Sequence, residues 1–361
     1  MRKRWKVVAL GVAALLVYPA VTYTQALTYP GDAPVSVRTV DWLRDEGAGP
    51  LVNAVENWWY TRHQPPAGPP LAAALPPPAP AGQAATPGAG PANLPALTAA
   101  LPGEGVWVPD ARAASGAVAE YTTFIRPDRT HASVVAGVAW LDQNLTRTTL
   151  ITGTREPRGA AGPEGGQVPL SSRSALLVTF NSGFKMKDCS CGVYVDGSQN
   201  PPLRDGAASV VVHGDGTVSI ARWGRDAVLG PDIVAVRQNL DLVVDGGVPV
   251  ASPQRTVAAH WGSAGSQFQF TWRSGLGTDR AGHLIYVAGD QMTLATLADA
   301  MAEAGIVRGM ELDIHAKMVT FNSYRPDHPG TPPVHLLPDM QGPATRYLQP
   351  DQRDFFAVTL R

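Results

Sequence analysis

The chain has 361 residues, enough for one large or two ordinary domains. Its formal net charge is −1 and only 16% of its residues are charged, which excludes the basic field that attracts nucleic acid. Hydrophobic content of 44% supplies a real core, while 37 Gly and 33 Pro are too many for a helical bundle and fit a loop-rich, β-containing fold with a linker.

Arg2, Lys3, Arg4 and Lys6 precede an uncharged run from Val7 to Tyr23. A basic head followed by an apolar segment is an export signal. Counted from Trp5 to Tyr23 the run approaches the length of a bilayer span, with Trp5, Tyr18 and Tyr23 at depths suited to interfaces. Thr24-Gln25-Ala26 is a poor cleavage site, so residues 1–26 read as an uncleaved signal anchor, with a cleaved signal peptide as the alternative. Everything beyond Tyr23 is then extracytoplasmic. Residues 27–64 carry a membrane-proximal helical segment, with Leu51, Val55, Trp58 and Trp59 at helical spacing and Pro50 at a first helical position. Its Trp pair either rests on lipid headgroups or packs on the main domain. Residues 65–97 are a Pro/Ala/Gly spacer that reads as an extended tether, leaving residues 98–361 as the globular domain.

That domain reads as short strands with turn chemistry between them. Ser133–Leu141 and Ala175–Phe180 are apolar strands, the second running into Asn181-Ser182-Gly183. Ala208–His213 and Thr217–Ala221 flank Gly214-Asp215-Gly216, a hairpin signal. Ile233–Val236 and Leu240–Val244 follow, the latter ending in Asp245-Gly246-Gly247, and Phe268–Arg273 and His283–Ala288 flank another Gly/Asp turn. One clear helix contains Leu294, Leu297, Ala298 and Met301, with Thr293 as cap and Gly305 just beyond its end. The class is therefore α+β, with few helices and a mixed, mainly antiparallel sheet, behind the transmembrane anchor and the Pro/Ala-rich linker. Val178-Thr179-Phe180-Asn181-Ser182 recurs as Val319-Thr320-Phe321-Asn322-Ser323. Coincidence accounts for this echo more readily than duplication, because the flanks do not match.

The strand after the helix concentrates the chemistry. Met310, Leu312 and Ile314 point one way and Glu311, Asp313 and His315 the other, so ionisable groups share one face of an otherwise apolar strand. Such a face lines a cleft or, more blandly, is the solvated side of an edge strand. Arg237, with Asn239 close behind, lies between two apolar strands, and Arg273 ends another. Two such arginines suit bidentate capture of a phosphate or carboxylate, or else form structural salt bridges. Asp245 with two glycines behind it leaves room for a ligand or marks an ordinary turn. Cys189 and Cys191, one residue apart, read as two thiols or a strained surface bridge. No Gly-x-Ser-x-Gly or His-Glu-x-x-His occurs, against a serine esterase and a zincin.

VTFNSGF at Val178–Phe184, DGAAS at Asp205–Ser209, VRQNLDLVVDGG at Val236–Gly247, TWRSGLG at Thr271–Gly277 and MELD at Met310–Asp313 occur in that order over residues 101–361. In this arrangement the chain resembles the phosphodiester glycosidase family. The resemblance implies hydrolysis of a sugar-1-phosphodiester, such as one in a cell-surface glycopolymer, at the sugar C1–O bond and without a cofactor. It implies Asp313 as base or nucleophile, Glu311 as second carboxylate and Asp245 as an alternate. Arg237 and Arg273 would take the phosphodiester, and Asn181, Asn239, Asn322 and His315 the rest of the substrate. Two departures stand out: Ser182 replaces a usual glycine, and Ile314-His315-Ala316 replaces the glycines common after the terminal Leu-Asp. The alternatives are a non-catalytic glycopolymer binder and a metal-assisted phosphodiesterase using Asp245, Asp313, His315 and His260.

Overall fold

A computed structural model of the chain describes residues 17–29, 34–76, 90–97, 99–157, 162, 164–195, 197–250, 261 and 265–361. Most of the expected anchor and His260 lie outside these residues. Residues 17–28 are helical, and among the described residues no helix is long and apolar enough to cross a membrane. Helices Val35–Leu43 and Gly49–Arg62 follow, joined by a turn at Arg44–Ala48 in which Gly47 takes φ +90°. Neither helix has a fully buried residue. Leu51, Val55, Trp58 and Trp59 are all largely exposed, so the Trp pair is not packed into the domain.

Among the described residues the strands form three sheets, and every pairing between named strands is antiparallel. The largest runs Val108–Arg112, Val118–Ile125, Ala136–Leu141, Leu284–Met292, Thr271–Thr278, Arg308–Ile314, Leu242–Asp245, Val248–Pro249. A second has the order Ser198–Gln199, Val193–Val195, Ile233–Gln238, Ala208–His213, Val218–Arg222. The third has the order Val334–His335, Phe321–Ser323, Leu176–Asn181, Phe355–Leu360, Thr146–Ile151. Many short strands with hairpin chemistry favour several sheets wrapped on one core over the single sheet expected. The described parts of the Pro/Ala/Gly stretch are not a free tether. Pro66 O accepts from Ser133 Oγ, Ala92 O accepts from Trp107 Nε1, and Leu75 and Leu94 pack against the core.

Helix Leu294–Glu303 lies on the large sheet, with Leu297, Ala298, Ala300 and Met301 fully buried. Thr293 Oγ1 accepts from Thr296 N at 3.2 Å, and Gly305 takes φ +87° just past the end, as a C′ glycine does. Close packing explains the glycines of TWRSGLG. A Cβ on Gly275 would stand 2.5 Å from Met301 Sδ, and one on Gly277 would stand 2.3 Å from Ile306 Cγ2. Gly246 and Gly247 take φ +65° and +80° between paired Asp245 and Val248, a two-residue hairpin turn rather than an opening for ligand. The repeated Val-Thr-Phe-Asn-Ser segments are neighbours in the third sheet. Phe180 faces Phe321 across the pairing, with ring centroids 6.2 Å apart.

One buried polar cluster constrains protonation. Ser323 Oγ lies 2.5 Å from Asp110 Oδ2 and 2.8 Å from Glu120 Oε2, and a hydroxyl carries a single proton. The second proton sits on Glu120, which is fully buried, whereas Arg325 pairs with Asp110. Burial, followed by the charge of Asp110, holds the Glu120 carboxyl well above its ordinary range. The folded chain therefore binds this proton more tightly than the unfolded chain. Wild-type stability falls as pH rises from the ordinary carboxyl range toward the raised value. Glu120→Gln keeps the hydrogen-bonding capacity without the charge. Its melting temperature should match wild type at pH 5 and exceed it by a few degrees at pH 8–9, as read by thermal melts across pH.

Candidate active site

Arg308–Ile314 is an interior strand, paired on one side with Thr271–Thr278 and on the other with Leu242–Asp245. Its C-terminal end, with Glu311, Asp313 and the following His315, lines a cavity of about 540 Å³. The opposite wall is the Val35–Arg62 helical hairpin, which contributes Asp41, Arg44, Glu56 and Tyr60.

The two carboxylates on this strand have different partners. Glu311 Oε1 pairs with Arg273 Nη1, and Arg273 is itself held by Met292 O at 2.8 Å and by Ser266 O. Asp313 Oδ2 lies 3.2 Å from Arg353 Nη2, while its Oδ1 accepts from Ile314 N at 2.9 Å. Burial raises both carboxyls against the pull of these arginines, and it carries Asp313 up to about 6. His315 takes φ +75°, a left-handed conformation that glycine adopts without strain. Its ring stacks on Tyr60 with centroids 5.3 Å apart. Burial, with help from Arg273 and Arg44, pushes its imidazole down to about 3. It is therefore neutral, and its 3.7 Å approach to Glu56 is a contact rather than an ion pair.

Several expected site residues are placed elsewhere. Arg237 is fully buried and does not face the cavity: Nε donates to Asp354 Oδ2 at 2.6 Å, Nη1 to Gln238 O and Nη2 to Phe184 O. A buried guanidinium needs all its donors met, and the core meets them. Asp245 is paired on the surface with Arg225 at 2.7 Å and stands opposite Arg308, five residues and roughly 17 Å along the strand from Asp313. That separation removes it from the carboxylate pair and breaks up the proposed metal set. No group of three or more His, Cys, Asp or Glu among the described residues is placed to hold a metal. Asn181 Nδ2 donates to Ser274 Oγ, and its Oδ1 accepts from Tyr286 Oη and Thr320 N, so its amide is bonded within the core and does not line the cavity. Asn322 is fully buried and donates to Thr179 Oγ1. Asn239 donates to Glu311 O and Leu312 O, both at 2.7 Å, so it clamps the strand that bears the acids without lining the cavity.

Of the two expected arginines only Arg273 lines the cavity, where it is spent on Glu311 and backbone carbonyls; the other cations there were not expected. Lys185, Lys187, Lys317 and Arg353 line it, with Asp188 between the first two lysines and the disulfide. Arg353 Nη2 also donates to Gly183 O at 2.6 Å, while its Nε is buried without an acceptor among the described residues. Cys189 and Cys191 are joined and buried, not a surface bridge or free thiols, and Cys191 Sγ lies 3.8 Å from Arg237 Nη1. The charge pattern Lys185-Met186-Lys187 before this pair was the available signal for the cationic wall.

No family model and no curated protein matches the chain. Solved structures do. The zebrafish N-acetylglucosamine-1-phosphodiester alpha-N-acetylglucosaminidase catalytic domain, auto-inhibited by its pro-peptide, is similar at 15% identity and TM-score 0.45, over 70% of this chain and 86% of that one. A hypothetical protein from Synechocystis is similar at 14% identity and TM-score 0.35, over 63% and 59% of the two chains. A Burkholderia pseudomallei protein whose name proposes export gives 10% identity and TM-score 0.29 over 65% and 75%. The relationship is a distant one of structure.

Removing one member of a buried ion pair strands the other. Arg237→Met should cost about 3–5 kcal/mol of stability by chemical denaturation. Asp245→Ala removes a surface pair, should cost less than about 1 kcal/mol, and should leave ligand binding at the cavity unchanged.

Proposed function

We propose that the domain is a hydrolase of sugar-1-phosphodiesters, acting outside the cytoplasm on a glycopolymer or a similar glycosyl phosphodiester. The observation that carries this reading is Asp313, a buried carboxyl raised to about 6, in a cavity lined by Arg353, Lys185 and Lys187. A group poised near neutrality can take a proton from water, and fixed cations stabilise the charge of a departing phosphate. The motif resemblance at Val178–Phe184, Val236–Gly247 and Met310–Asp313 points the same way. Export is supported by the basic head before Val7–Tyr23 and by the Cys189–Cys191 disulfide, which belongs to an oxidising compartment. The first segment also supports attachment to a membrane.

In this reading Asp313 accepts a proton from the attacking water as its oxygen bonds to sugar C1. The C1–O bond breaks with its electron pair going to the phosphate oxygen, giving free sugar and a phosphomonoester. Arg353, Lys185 and Lys187 neutralise the leaving phosphate, the role earlier expected of Arg237 and Arg273. Glu311, fixed by Arg273, is the second carboxylate, and neutral His315 offers a hydrogen-bonding ring nitrogen to a sugar hydroxyl.

The test is turnover of a panel of sugar-1-phosphodiesters by the full chain in oxygen-18 water. Label in the free sugar supports C1–O cleavage; label in the phosphate overturns it, as does absence of turnover across the panel. Because the base must be ionised, kcat/KM should rise about tenfold per pH unit below 6 and level off above it. Asp313→Asn should lower it by about 10²–10⁴-fold. Arg353→Gln removes the cation that holds the Asp313 value down, so the acidic limb should move up by about one pH unit or more.

A further inference from the structure

The cationic wall of the cavity is already occupied. Lys185 Nζ lies 2.6 Å from Asp41 Oδ1, and Lys187 Nζ pairs with Asp45 Oδ1. The two carboxylates are four residues apart on the Val35–Leu43 helix and the turn after it, so one face of the hairpin presents both. Arg353, with its unmet Nε, shares the lining of this cavity and of an adjoining one of about 630 Å³ that also includes Asp41, Asp45, Lys185 and Lys187. Burial works to raise the Asp45 carboxyl, yet Lys187, Lys185 and Arg155 together carry it below its ordinary value. At Asp45 these three cations outweigh the desolvation of the carboxylate.

The rest of the hairpin is held by polar or partly exposed contacts. Gln269 Nε2 donates to Asn57 Oδ1, Phe270 N donates to Tyr60 O at 3.2 Å, and Tyr60 stacks on His315. Neither helix buries a side chain fully. An element attached in this way opens at a small fraction of the free energy that unfolds the sheets.

We propose that Lys185, Lys187 and Arg353 form an anion subsite for a phosphate-class group, and that Asp41 and Asp45 fill it as an internal stand-in which that ligand displaces. This deepens the hydrolase reading and rests on it for the identity of the natural ligand, but the exchange of carboxylate for phosphate stands on the ion pairs alone. Binding of the phosphate group and closure of the Val35–Arg62 hairpin are mutually exclusive, so each weakens the other by the same factor.

The experiment uses the full chain with inorganic pyrophosphate as probe, titrated by calorimetry, and amide hydrogen exchange over residues 35–62. In the wild type, saturating pyrophosphate should raise exchange across the hairpin at least several-fold, whereas sodium chloride of equal ionic strength should not. Asp41→Asn with Asp45→Asn should tighten pyrophosphate binding about tenfold or more and loosen the hairpin without ligand. Lys185→Met with Lys187→Met should abolish pyrophosphate binding. The proposal is overturned if pyrophosphate leaves hairpin exchange unchanged in the wild type, a result that needs no variant to fold. Equal pyrophosphate affinity in the wild type and the double Asn variant, or retained binding in the double Met variant, also overturns it. None of these readouts involves turnover. A chain that exchanges its hairpin for pyrophosphate yet hydrolyses no sugar phosphodiester would sink the hydrolase reading and leave the subsite in place.

Discussion

Arg353 and Asp354 are adjacent residues of opposite charge, and together they tie the three sheets. Neighbouring side chains on extended backbone point to opposite sides. Here Arg353 reaches Asp313 on the large sheet, and Asp354 reaches Arg237 on the second. The strand they introduce, Phe355–Leu360, is a central member of the third. Ser182 Oγ donates to Asp354 O and Gly183 O accepts from Arg353, so the turn after Leu176–Asn181 is fixed at the same point. Charges with little or no exposure must be paired closely, and a change in any one would be felt by the others. Setting the Asp313 environment and closing the core are thus the same structural event.

The cavity wall facing this junction is of a different kind. The large and third sheets meet through fully buried Tyr286 of the first and Phe180, Phe321 and Phe356 of the other, an aromatic cluster that excludes water and resists rearrangement. The hairpin meets the domain mainly through lysine–carboxylate pairs, two amide contacts and one ring stack. Pairs with a side chain 37% or 38% exposed, such as Lys187 with Asp45, are screened by solvent and add little to stability. The same pairs are specific, because they demand an anion at a fixed place. Weak attachment combined with strong selectivity is what an exchangeable occupant requires, and it could not be built from the apolar packing used elsewhere in the chain.

Much of the scaffold was legible in the sequence. Leu294–Glu303 announces itself through Thr293, Gly305 and a stripe of Leu297, Ala298 and Met301, all local signals. The alternation Glu311, Asp313, His315 put three ionisable groups on one face of a strand, and of the two readings left open, cleft or solvated edge, all three line the cavity. Arg237 misled, whereas Arg273 does line the cavity beside Glu311. An arginine between apolar strands must find partners, but the sequence does not say whether those partners are substrate or protein. For Arg237 the partner lies 117 residues away at Asp354, a separation that no periodicity encodes. Asp245 and its two glycines carry the signature of both a hairpin and a ligand turn, and the backbone chose the hairpin. The hairpin over the cavity was invisible as a cover, because its contacts depend on how residues 35–62 fold back on the domain.

Glu311 and Asp313 share a strand, a face and a buried setting, and each has an arginine, yet they are not chemically equivalent. Arg273 gives Glu311 a close ion pair and spends its other donors on backbone carbonyls, so the pair is closed. Arg353 stands farther from Asp313, also serves Gly183 O, and leaves Nε unmet, so this pair is open on the cavity side. Burial raises the proton affinity of both carboxyls, and the difference between them lies in how fully each arginine's donors are met. In the proposed hydrolase reading this difference assigns geometry to Glu311 and proton exchange to Asp313. The asymmetry comes from where the two arginines are anchored: one within the large sheet beside the acids, the other at the junction with its neighbours.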